Sequence, residues 1–261
     1  MASASPALTN APWWHAPAII EDWNGVQVVR DDLLHGGSKM RFLPFLVEGQ
    51  QEIVYGGPFC GGAPYALSVW GKRMGVKVTL FFAKRKTLHW RQRAAFRNGA
   101  TIYQVPAGRM SVVQHRSRTY AEKTGALFLP LGFDVKDATR PFEEAMRGVR
   151  QQVGKVDEVW CAVGTGMLAR CLAVAFPDAA IKGVVVGLRS RNQAQDYPAN
   201  VQLLDCPYDF AEDCSSSPPF PSCMNYEAKA WEQMRLHAKG RVLFWNVVAK
   251  QTAPEMEADQ R

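Results

Sequence analysis

Nowhere in the sequence do about 20 apolar residues run without interruption, so no segment has the make-up of a membrane-spanning helix. The opening residues, MASASPALTNAPWW, carry neither the basic head nor the apolar stretch of a secretory signal, and a cytoplasmic protein that avoids membranes is expected. The cysteines Cys60, Cys161, Cys171, Cys206, Cys214 and Cys223 include no Cys-x-x-Cys pair and have no histidine cluster nearby. That argues against a zinc site and a redox dithiol, leaves reduced and mostly structural thiols, and predicts no metal. No internal repeat is present. The glycine-rich turn at Gly164–Gly166 lacks the third glycine of a dinucleotide fingerprint, because Ala169 stands at that place, and a nucleotide cofactor of that type is disfavoured.

What is present is an ordinary globular composition over 261 residues, enough for one sizeable core or two small lobes sharing one. The net charge of +7 favours polyanionic partners through steering, without naming a site. Apolar runs rich in β-branched residues recur at Gly25–Val29, Ile53–Tyr55, Val76–Phe82, Thr101–Val105, Val156–Val163 and Ile181–Gly187. Between most of them lie stretches of helical spacing, at Ala66–Met74, Trp90–Asn98, Val112–Thr124, Pro141–Val153 and Met167–Phe176. A helix near Tyr226–His237 and a strand at Val242–Val247 close the series. Strands alternating with helices predict an α/β protein built of parallel βαβ units. Residues Asp205–Cys223, rich in Pro and Ser, read as an ordered loop or a linker between lobes, and the polar tail 250–261 as frayed.

Three places carry chemistry. In LLHGGSKMRFLPFL, Lys39 follows Gly36, Gly37 and Ser38 at the entrance to an apolar helical stretch, where backbone can approach a ligand and a helix start can face an anion. A surface lysine beside a Gly turn gives the same pattern. In WCAVGTGMLARCLAVAF, a buried strand runs through Gly164, Thr165 and Gly166 into a helix starting at Met167 and Leu168, an arrangement that offers several N–H groups and a helix dipole to one phosphate. A tight strand-to-helix turn with no ligand has the same form. In CMNYEAKAWEQ, Glu227 opens a helix, where a carboxylate is favoured by the dipole alone.

Taken in this order, the three segments resemble the fold-type II enzymes that use pyridoxal 5'-phosphate, most closely the 1-aminocyclopropane-1-carboxylate deaminase and D-cysteine desulfhydrase branch. The Gly-Gly-Asn-Lys-(Thr/Val)-Arg-Lys signature of that family is matched by Gly36–Phe42, and its phosphate loop falls on Val163–Leu168. Its Val-Tyr-Glu-Gly-Lys segment is matched by Asn225–Lys229. The resemblance, which spans roughly Val28 to Val247, implies that Lys39 holds the cofactor as a Schiff base and that Gly164, Thr165, Gly166, Met167 and Leu168 bind its phosphate. It implies further that Glu227 faces the pyridine nitrogen, with Tyr226 near the substrate as an acid–base group. Open, mostly parallel sheets in two lobes with the cofactor between them are expected, with an N-terminal segment 1–24, a catalytic unit 25–249 containing a smaller lobe around 55–130, and the tail. Family members are commonly dimers, so a homodimer is a further expectation.

The sequence departs from the family where a Ser and an Asn should hold the substrate carboxylate. The corresponding stretch, Gly56–Tyr65, has lost both, and only Cys60 and Tyr65 there could offer side-chain polar contact, unless the backbone of Gly61 and Gly62 does the clamping. A missing clamp would permit decarboxylation, or a substrate without a free α-carboxylate. Downstream, AKRKTLHWRQRAAFRNG interleaves Lys84, Arg85, Lys86 and Arg91 with Trp90, either as a groove that tracks a nucleic acid at the site's mouth or as a solvated basic helix face. Basic, short and without the clamp, the chain resembles what trimming amino-acid adducts on thymine in bacteriophage DNA would need. Decarboxylation of such an aminoacyl group is the first expectation. A deaminase or β-eliminase of a small free amino acid is the second, and a non-catalytic nucleic-acid-binding protein on the same fold the third.

Overall fold

The computed structural model describes residues 17–106, 108–135, 139–187 and 197–248. Most of the N-terminal segment 1–24 and all of the tail 250–261 lie outside them. The chain forms two sheets. The six-stranded one contains β1 (Ile20–Trp23), β2 (Val26–Arg30), β7 (Glu158–Val163), β8 (Ala180–Val185), β9 (Val201–Asp205) and β10 (Val242–Asn246), in the order β1-β2-β10-β7-β8-β9. The four-stranded one contains β3 (Glu52–Gly56), β4 (Lys77–Ala83), β5 (Thr101–Val105) and β6 (Leu127–Leu129), in the order β5-β4-β3-β6. Every pairing is parallel except the β1–β2 hairpin.

Parallel strands need both faces covered, and the side chains alternate accordingly. On β7, Val159, Cys161 and Val163 enter the main core with α5 (Thr139–Val153) and α6 (Met167–Ala175), whereas Trp160 and Ala162 face α7 (Glu227–His237) through Trp231 and Met234. In the smaller sheet Ile53, Tyr55, Leu80 and Phe82 join the main core with α2 (Gly62–Met74) and α3 (Trp90–Arg97). Val54 and Phe81 point the other way, onto α4 (Met110–Thr124). The strand and helix positions read from the sequence hold to within a few residues. Three short or edge strands, β1, β6 and β9, have no counterpart in that reading.

The apolar helical stretch at Lys39 is a 3-10 turn, Ser38–Arg41, followed by one short helix, α1 (Leu43–Val47). Of the two readings of Asp205–Cys223, the ordered loop is the one found. Phe220 packs on Trp231 and Phe244, and buried Asn246 accepts from Ser222 Oγ and donates to the Pro221 carbonyl.

One polar knot fixes the Lys39 turn on the six-stranded sheet. The buried carboxylate of Asp31, just past β2, accepts from Arg41 Nε at 2.8 Å and Nη2 at 2.6 Å on one oxygen, and from Trp245 Nε1 at 3.0 Å on the other. Trp245 Nε1 also reaches Ser38 Oγ at 3.1 Å, so the turn that carries Lys39 is tied to β2 and to β10 at once. Its glycine start is obligatory: Gly37 has φ +75° and a side chain there would strike the Val247 carbonyl. Removing one partner of a buried ion pair leaves an unpaired charge, so Arg41→Met should lower the free energy of unfolding by about 3–5 kcal/mol in urea titrations. A loss below about 1 kcal/mol would show that the pair does not hold the turn.

Candidate active site

The carboxyl ends of parallel strands point their loops at one place, and a cavity of about 430 Å³ opens there between the two sheets. It is lined by the Lys39 turn after β2, the loop 58–63 after β3, Leu131 and Gly132 after β6, residues 164–168 after β7, Gly187 after β8, Val247 after β10, and Asn225–Glu227 at the start of α7. Most of these segments, far apart in the sequence, converge because they follow parallel strands; Asn225–Glu227 arrives at the start of α7 instead.

Lys39 presents its side chain to this space, with its ammonium 5.5 Å from the ring centre of Phe133. Burial holds its pKa below the usual lysine range, the charge of Glu227 opposing that shift and Arg91 adding to it. Among the described residues its ammonium makes no hydrogen bond or ion pair.

The turn after β7 has the form of an anion cradle. Gly166, in the left-handed conformation, caps α6 without any side-chain cap. The main-chain N–H groups of Thr165, Gly166, Met167 and Leu168 find no acceptor among the described residues, and the positive end of the helix dipole lies behind them. Crowding keeps the cradle open: a side-chain carbon at Gly164 would lie 2.6 Å from the Tyr226 hydroxyl, and one at Gly187 would lie 2.6 Å from the Gly164 carbonyl oxygen. Tyr226 therefore leans on the cradle, where the Gly164 amide donates to its phenol, and burial raises the phenol's pKa far enough to keep it protonated.

Glu227 is the most conspicuous group. It is fully buried at the first turn of α7, it lines the cavity, and among the described residues neither carboxylate oxygen has a hydrogen-bond partner. Burial pushes its pKa up to about 8, its own main-chain amide and the Arg91 charge acting in the opposite direction. An isolated buried carboxylate of this kind is costly unless a partner arrives.

Other sequence expectations fall differently. Cys60, Gly61 and Gly62 do line the cavity, but Tyr65 turns into the core, edge-on to His35 and Trp90. Lys84, Arg85 and Lys86 are exposed after β4, where the Arg85 guanidinium lies 3.8 Å from the ring centre of Phe59. Arg91 corrects the reading of a solvent-facing basic stripe: it is 5% exposed and lines the cavity. Trp90 is half-buried against the main core, and its ring meets Tyr65, His89 and the Arg91 guanidinium. Met110, Leu131, Gly132 and Gly187 join the site without any forewarning from the motifs; a glycine closing a run of valines, as Gly187 does, is the one signal that flags a close approach. Among the described residues no group of three potential ligands could hold a metal, and no helix is long and apolar enough to cross a membrane.

No protein-family model matches the chain, and no curated protein sequence does. Solved structures do. An ACC deaminase homologue superposes with TM-score 0.71 at 16% identity, covering 85% of this chain and 84% of its own. The T.th. threonine deaminase gives 0.66 at 12%, covering 92% and 94%, and maize serine racemase gives 0.66 at 10%, covering 93% and 91%. The chain has the fold of the fold-type II pyridoxal-phosphate enzymes. At these identities the likeness is one of architecture, and the chemistry has to come from the cavity.

In the ligand-free chain Glu227 binds a proton more tightly folded than unfolded. The stability this confers is full below the unfolded carboxylate value of 4.5 and is lost as pH rises through about 8. The free energy of unfolding should therefore fall between pH 5 and pH 9 by on the order of 3–5 kcal/mol, and Glu227→Gln should abolish that fall. Equal pH slopes in the two proteins would contradict the burial of this carboxyl.

Proposed function

We propose that the cavity binds pyridoxal 5'-phosphate and that the protein is a lyase acting at the amine-bearing carbon of an amino acid. The observation that carries this is the Glu227 carboxylate, buried and without a partner among the described residues, in the same cavity as a lysine amine and four amides that are likewise unpaired there. Those three features meet the three demands of the cofactor: a basic ring nitrogen, an aldehyde and a phosphate. When bound, the cofactor supplies an electron sink for the carbanion left when a bond to that carbon breaks.

The chain's own residues then have defined tasks. Lys39 Nζ would hold the cofactor and carry a proton to and from the substrate carbon, which its lowered pKa favours. The amides of Thr165–Leu168 would hold the phosphate with the α6 dipole. Glu227 would keep a proton on the ring nitrogen. Tyr226, its hydroxyl held by the Gly164 amide, would orient the cradle and offer a protonated donor.

For the reaction, deamination or β-elimination of a small free amino acid is the reading with the broader support, since the similar structures include an ACC deaminase homologue and a threonine deaminase. Decarboxylation of an aminoacyl-modified thymine in phage DNA remains a second reading because exposed Lys84, Arg85 and Lys86 follow β4, with Arg85 stacked on Phe59, the neighbour of cavity-lining Cys60. Turnover of free amino acids that is indifferent to salt supports the first. Turnover that needs DNA and weakens steeply with salt supports the second.

The cofactor assignment is tested by reconstitution. Wild-type protein mixed with pyridoxal phosphate should become coloured, and borohydride should then fix a pyridoxyl group on the tryptic peptide containing Lys39. Lys39→Ala should show neither. A label spread over surface lysines, or colour retained by Lys39→Ala, would sink the assignment.

A further inference from the structure

Arg91 is a buried cation that no acidic side chain pairs. One guanidinium nitrogen donates to the Cys60 carbonyl and the other reaches Cys223 Sγ at 3.5 Å, the guanidinium lies 5.0 Å from the ring centre of Trp90, and among the described residues the buried Nε has no hydrogen-bond partner. Among the described residues no carboxylate lies within ion-pair distance of it; Glu227 acts on it only through space. A guanidinium withdrawn from water without a counter-charge is strongly unfavourable, which is the condition of a group awaiting an anion.

Its surroundings are built for one. Cys60 immediately precedes Gly61, the N-cap of α2, a helix of 13 residues with no side-chain cap and no acidic residue in its first turn. The amides of Gly62 and Ala63 have no acceptor among the described residues, and Pro64 has no N–H to place. Gly61, Gly62, Ala63 and Arg91 all line the same cavity as Lys39.

We infer that Arg91, with the amides of Gly62 and Ala63, is a carboxylate subsite, so that the substrate is an amino acid whose carboxylate is held by charge rather than by the side chains of the loop. The inference rests on the pyridoxal-phosphate reading above and deepens it. It also changes what the missing Ser and Asn mean: the loop keeps only its backbone amides, and the charge comes from Arg91 on α3. A carboxylate held in a buried ion pair is poorly placed to leave as carbon dioxide. Loss of a proton or of a β-substituent fits better than decarboxylation.

The test measures binding without turnover. Two stable secondary amines are titrated calorimetrically into cofactor-free protein: phosphopyridoxyl-alanine, and phosphopyridoxyl-ethylamine, which is the same molecule without its carboxylate. Wild type should prefer the alanine adduct by on the order of tenfold or more. Arg91→Gln should bind the two within about twofold while keeping its affinity for the ethylamine adduct. Arg91→Lys, which keeps the charge, should retain part of the preference and stands in if Arg91→Gln does not fold. No preference in wild type, an undiminished preference in Arg91→Gln, or an equal loss for both adducts would overturn the subsite while leaving the cofactor reading intact. Failure of wild type to bind either adduct would overturn the cofactor reading, and the subsite with it.

Discussion

The Asp31 carboxylate is the point on which the arrangement turns. It is wholly buried, and it gathers Arg41 from the lysine turn and Trp245 from the last strand onto the end of β2. That holds together segments more than 200 residues apart in the sequence, as the separation of Asp31 from Trp245 shows. Because the hydrogen bonds on Asp31 come from both sides, the Ser38–Arg41 turn has one place to sit, at the carboxyl ends of the parallel strands. Everything proposed for Lys39 depends on that placement.

Polar groups elsewhere show how well this fold can pair what it buries. Asn246 holds the 221–222 segment, Glu158 takes the Trp160 indole, and the Lys229 ammonium, with no exposure at all, is met by the carbonyls of Asp209 and Phe210. Against that background several groups unpaired among the described residues stand out because they share one cavity: the Glu227 oxygens, Arg91 Nε, and the amides at 62–63 and 165–168; the buried Gln92 Nε2, also without a partner, does not line it. Buried groups of both signs left without partners in one space are what a ligand with complementary charges would complete.

Much of this is legible in the sequence. The valine-rich runs of β7, β8 and β10 read as strands because they are buried on both faces, and the turns after them inherit their direction. Lys39, the 164–168 turn and Glu227 emerge from local pattern joined to family resemblance. The edge strand β1 and the three-residue β6 escape notice because they are too short or too half-buried to show a period. Arg91 is hidden among the basic residues that follow β4, where charge alone suggests one solvated face. The better signal is its spacing to Ala94 and Ala95: three and four residues on, they mark the buried side of α3, while Phe96 and Arg97 sit on its more open side. Tyr65 falls in the substrate loop by adjacency alone, yet it lies on the core side of α2.

A crystal structure of the wild-type chain grown with pyridoxal phosphate tests the central claim most directly. The account predicts density continuous with Lys39 Nζ, phosphate oxygens on the amides of 165–168, and the ring nitrogen about 3 Å from a Glu227 oxygen. An empty cavity at saturating cofactor, or a cofactor bound with its ring nitrogen away from Glu227, would contradict it.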